Sequence, residues 1–156
     1  MKLDRKGLMN HLLASVDQDI EAQERMLLLL AEQERTVLEE HPEGVVNATA
    51  AIESELESYG ARREQLFSCF GELFGVPAGG LTLSMIVERF GAGSEGLARR
   101  RSRLRECTAK VVRKQRFVAA LLREHRRFIT DLLGLILTDE TGNPVQEEGA
   151  LIDARA

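Results

Sequence analysis

The chain has 156 residues, a length usual for a single domain. It has no Trp, one Tyr and six Phe, so any core is aliphatic, and the wealth of Leu, Ala, Glu and Arg favours helix over strand. The net charge of −4 hides three blocks, an acidic stretch over 1–98, a basic one over 99–127 with 12 Lys/Arg against 2 Glu, and an acidic end over 128–156; apolar runs such as Leu132–Leu137 fall far short of the ~18 residues that suggest a membrane span.

Taken in chain order, the first helix is predicted from about Leu3 to Glu40. Met9, Leu13, Val16, Ile20, Gln23, Leu27, Leu30, Glu34 and Val37 alternate at spacings of four and three and so share one stripe. His41-Pro42-Glu43-Gly44 interrupts the pattern. A second helix follows from about Val45 to Phe74, with Val45, Thr49, Ile52, Leu56, Tyr59, Arg63, Leu66, Phe70 and Leu73 in the same alternation. Two such helices joined by a short turn predict an antiparallel hairpin. Gly75 to Gly80 reads as a loop. Thr82 then caps a short helix, Leu83 to Phe90, and Gly91-Ala-Gly-Ser94 ends it. From Ser94, a cap, a long last helix runs from about Glu95 to Leu137 on Leu97, Arg101, Leu104, Thr108, Val111, Gln115, Val118, Leu122, His125, Ile129, Leu132 and Ile136. The fold expected is all-α: an antiparallel, coiled-coil-like bundle of three long helices and one short one over residues 1–137. Residues 138–156, with Gly142, Asn143, Pro144 and Gly149, read as a flexible tail.

The last helix is uneven. Up to Gln115 its stripe is thin. From Phe117 onward it is crowded, and Phe128 and Leu135 widen the apolar arc beyond one seam. Either helix one and the short helix cover this surplus, or a second subunit or a partner does.

Little in the chain suggests bond-making chemistry, and a non-enzymatic protein without cofactor or metal is expected. Gly91-Ala-Gly-Ser-Glu-Gly96 spells G-x-G-x-x-G, but a dinucleotide site needs a strand before it and a helix is predicted there. His11, His41 and His125 are far apart, and His125 reads as a polar packing residue on the seam. Cys69 and Cys107 form neither C-x-x-C nor a zinc spacing and fit a reducing cytosol; Cys69 is expected in the core beside Leu66 and Phe70. The basic run from Arg99 encircles its helix without aromatic stacking partners, so pairing with acidic faces of helices one and two is expected in place of nucleic-acid binding. The basic start, Met1 to Lys6, leads into no secretory signal, since Asn10, His11, Asp17 and Asp19 follow, and a cytoplasmic protein is expected.

The layout resembles the FlgN family of flagellar export chaperones. The likeness lies in Arg62-Arg63-Glu-Gln-Leu66 closing the second helix, the Gly-rich loop with Leu81-Thr-Leu-Ser84, the segment Arg123 to Leu137, and the Gly-Asn-Pro tail ending Leu151-Ile-Asp-Ala-Arg-Ala156. It spans nearly the whole chain. Gln115 and Val118 stand where the family often has spaced asparagines, and Glu53 and Glu55 lie where it has a lysine. The resemblance implies a cytoplasmic chaperone that holds the C-terminal segments of hook-associated (hook–filament junction) proteins before type III export, through a C-terminal amphipathic helix, and hands them to export-apparatus components. Val118, Leu121, Leu122, Phe128, Ile129, Leu132, Leu133 and Ile136 are the partner-binding residues expected on this reading. The competing expectation is a structural coiled-coil homodimer or scaffold whose wide stripe is its own interface.

Overall fold

The computed structural model describes residues 5–91 and 95–137, and these are all-helical, with no strand among them. Helix α1 spans Arg5–Leu38, α2 Pro42–Phe74, α3 Leu83–Gly91 and α4 Glu95–Leu137. A short 3-10 helix, Ala78–Gly80, lies in the loop before α3. The expected cap at Ser94 and the expected tail over 138–156 fall outside the described residues.

The α1–α2 turn is tighter than the break predicted around His41–Gly44. Pro42 begins α2 instead of ending α1, because the first helical position needs no N–H donor and suits proline's fixed φ. His41 caps it, its Nδ1 accepting from the Gly44 N–H at 2.9 Å. A Cβ on Gly44 would lie 2.6 Å from Thr36 Cγ2, so only glycine lets the two helices approach this closely. Glu40 absorbs the reversal with a left-handed backbone, φ 53°. At the other end Gly75, φ 66°, closes α2 in the left-handed conformation that glycine adopts without a Cβ penalty. Thr82 caps α3 as predicted: its Oγ1 accepts from the Met85 N–H at 3.2 Å.

Helix α1 is the element on which both α2 and α4 pack. Helix α2 runs antiparallel to it, as Asp19–Arg63, Arg25–Glu55 and Gln33–Thr49 show. Helix α4 runs parallel to it, through Arg100–Asp17, Arg103–Glu24 and Lys114–Glu34. The basic run of α4 thus meets the acidic face of α1, whereas among the described residues no ion pair joins it to α2, which was also expected to pair with it. The pairs made by Arg25 and Arg103 are exposed and screened by solvent, so they fix register more than they stabilise.

A central helix must bury two stripes, and the single stripe predicted for α1 is corrected accordingly. Leu8, Leu12, Ala22, Met26 and Thr36 are buried beside Val16, Ile20, Leu30 and Val37, whereas Met9, Leu13, Gln23, Leu27 and Glu34 are half-buried. An outer helix buries less, and Leu56 and Leu73 of α2 stand exposed although their spacing put them on its seam. The main core sits at one end of the molecule, where Leu12, Val16, Ile20, Leu66, Phe70, Leu81, Ile86, Leu97, Leu104 and Cys107 cluster. Helix α3 closes that end through fully buried Ile86. Burying each large side chain there contributes about 1.5–3 kcal/mol. The cysteine in this core is Cys107; Cys69, expected there, is half-buried, because it lies one helical step round from Phe70.

Candidate partner-binding groove

The pairing register fixes where α4 runs out of support. Glu34 lies opposite Lys114, and α1 ends at Leu38, about one turn later. Val118 is the last buried residue of α4. From Arg123 to Leu137 the helix continues for about 20 Å with nearly every side chain exposed. Its apolar residues remain uncovered: Phe128, Ile129, Leu132, Leu133, Leu135 and Ile136 are between 40% and 75% exposed. Neither helix one nor the short helix covers the surplus apolar width, because α1 stops too soon and α3 sits at the opposite end.

Where α4 leaves the bundle, it and the α1–α2 turn enclose an open groove of about 620 Å³. Leu122, His125, Arg126, Phe128, Ile129, Thr130 and Leu132 line it from α4; Thr36, Val37, Glu40, His41, Pro42 and Val45 line it from the turn. Leu122 to Leu132 covers about 15 Å of α4, the length of three helical turns. The turn wall is held by hydrogen bonds from Glu39 N to Arg35 O, His41 N to Thr36 O, both 2.9 Å, and Val45 N to His41 O, 3.1 Å.

The structure places the predicted partner-binding residues in four different settings. Leu122, Phe128, Ile129 and Leu132 face the groove. Leu133 and Ile136 lie beyond it, exposed on the projecting helix, and Leu121 is half-buried at its root. Val118 is a correction: at 2% exposure it belongs to the packing of α4 on α1, since it lies level with the end of α1 and still has that helix beside it. The turn residues Val37, Pro42 and Val45 were not legible as a site. No periodic signal links them to α4; only the register between α1 and α4 does. His125, expected to pack on a seam, instead borders the groove, half-buried.

A second polar feature lies towards the core end. Asp19 is buried, with Arg63 Nε 3.4 Å from its Oδ2. Burial pushes its carboxyl above the usual carboxylate range, and the guanidinium groups of Arg63 and Arg62 only partly offset this. It lies in a small recess of about 80 Å³ with His11, Ser15 and Arg62. Such a recess suits water bridging the Arg62 and Arg63 N–H groups that lack a protein acceptor.

Among the described residues no cluster of His, Cys, Asp and Glu could hold a metal ion, and no helix is long and apolar enough to cross a membrane. A helix, α3, precedes the Gly91–Gly96 motif, of which residues 92–94 lie outside the described residues. No family model, curated protein or solved structure matches this chain.

Proposed function

We propose that this chain is a FlgN-like flagellar type III export chaperone of the cytoplasm, holding the C-terminal segment of a hook–filament junction protein and delivering it to the export apparatus. The observation that carries the reading is the projecting part of α4, whose large apolar side chains no other described part of the chain covers. A contiguous apolar surface of this kind marks a place where another chain docks. An apolar segment, disordered when free, becomes helical against it; the burial offsets the ordering entropy, and no cofactor is required.

Co-purification with the C-terminal segment of a hook–filament junction protein from the same genome, at low and high salt, tests this. A complex that survives high salt is expected, because apolar burial is not screened. The paired substitution Phe128→Asp with Leu132→Asp should abolish it while leaving helicity intact. Absence of the complex from the unaltered chain would overturn the reading. The same uncovered face suits the alternative, a structural homodimer without a chaperone role, for which sedimentation over a concentration range would show tight self-association coupled to folding.

A further inference from the structure

The groove has a property that the apolar pattern of α4 does not contain: its two walls carry opposite charge. Arg126 lines it from α4 and Glu40 lines it from the α1–α2 turn. Both are exposed, and neither has an ion-pair partner among the described residues. Their neighbours are differently placed: Glu39 is held by Arg35, and Arg127 lies 4.0 Å from Asp131. The turn wall is fixed by its hydrogen bonds and by the close approach at Gly44, so Glu40 keeps its place.

We propose that this groove takes an amphipathic helix of a partner protein whose apolar stripe is bordered by a basic residue on the edge facing Glu40 and an acidic residue on the edge facing Arg126. This rests on the reading of α4 as a capture surface and deepens it, naming the turn as a second wall and the charge pattern of the captured segment. Opposite charges on the two sides of an apolar groove attract only a helix with split borders; one with like borders meets repulsion on one side. Turning a split-border helix end to end exchanges its edges, so the charges also fix the direction in which it lies. The charge pattern favours a partner over a second copy: at the helical period Arg123 and Arg126 border the apolar stripe of the projecting α4, while Glu124 and Asp131 fall on its opposite face, so a second copy would bring no acidic border to Arg126.

The test uses the full chain and three synthetic helical peptides with one shared Leu stripe at i, i+3 and i+7 spacing. The first has Lys on one border and Glu on the other, the second Glu on both, the third Lys on both. Fluorescence anisotropy should show the split-border peptide binding about tenfold tighter than either of the others at low salt, with the preference shrinking at high salt. Arg126→Glu should move the preference to the all-Lys peptide, and Glu40→Lys should move it to the all-Glu peptide. Equal affinity for all three peptides, or a preference that the reversals leave unchanged, would overturn the proposal. If the hook–filament segment still binds and Phe128→Asp with Leu132→Asp still abolishes that, only the charge pattern falls and the chaperone reading stands. Loss of both the peptides and the segment removes both. A homodimer that excludes all three peptides gives the groove to a second copy and also overturns the proposal.

Discussion

The two parts of helix α4 share a chain and a helical conformation, yet they do opposite things with their apolar residues. From Leu97 to Val118 the apolar positions are fewer, and the ones facing α1 are buried: Leu97, Leu104, Cys107 and Val118, with Val112 and Phe117 left on the outer side. From Arg123 to Leu137 they are many and are left in water. Apolar density along a helix therefore does not report burial. What decides burial is whether another helix lies alongside, and α1 lies alongside only the first part.

This contrast can be broken by substitution. The largest effect is expected in the packed part. Leu97 is fully buried in the core cluster, so Leu97→Ala should lower unfolding free energy by about 2–5 kcal/mol in urea or guanidinium titration. Gly71→Ala comes next. A Cβ there would lie 2.7 Å from the Val76 carbonyl oxygen, so backbone must shift, at a cost of about 1–3 kcal/mol in the same assay.

A smaller effect concerns pH. The folded chain holds the Asp19 proton more tightly than the unfolded chain does, since burial raises its pKa above 3.8. Stability from this residue is therefore greatest below that value, falls as pH rises through the raised folded pKa, and is then level. Asp19→Asn should remove the fall, so that the variant gains on the unaltered chain as pH rises through this window. Denaturant titrations at stepped pH values would check it; an advantage that grows towards acid pH would have the wrong sign. The smallest effect on stability is expected in the projecting part. Phe128→Asp with Leu132→Asp should change unfolding free energy by no more than about 0.5 kcal/mol per substitution. A loss comparable to that of Leu97→Ala would mean that the projecting part is packed in solution and would erase the contrast.

Much of the fold was legible in the sequence. The four helices, the Thr82 cap and the breaks near His41 and Gly75 follow from local chemistry, because a cap, a proline or a glycine acts within one turn of itself. The crowded end of α4 was also legible, and Phe128, Ile129, Leu132, Leu133 and Ile136 are exposed there. The buried stripes of α1 were read less well. Period alone locates a single face, and a helix with neighbours on two sides buries a second one, which here includes Leu12 and Met26. Val118 was misassigned for a related reason. It belongs to the same periodic series as Leu122 and Ile129, and nothing local marks the level at which α1 ends. Cys69 shows the same limit: its neighbours Leu66 and Phe70 are buried, but their burial says nothing about the next position round the helix.

The sequence by itself determined which segments are helical, where the chain breaks between them, and that the end of α4 carries more apolar surface than one seam needs. These depend on backbone propensity, capping and side-chain spacing, all set by residues a few positions apart. Only the tertiary structure decided that α1 is the central helix, that α4 runs parallel to it in a register that leaves residues 123–137 unsupported, and that the α1–α2 turn supplies the other wall of the groove. Those features arise from contacts between residues some 80 positions apart in the chain, such as Lys114 with Glu34. No local pattern specifies them; the register is set by the sum of the packing and charge pairs along the whole α1–α4 interface.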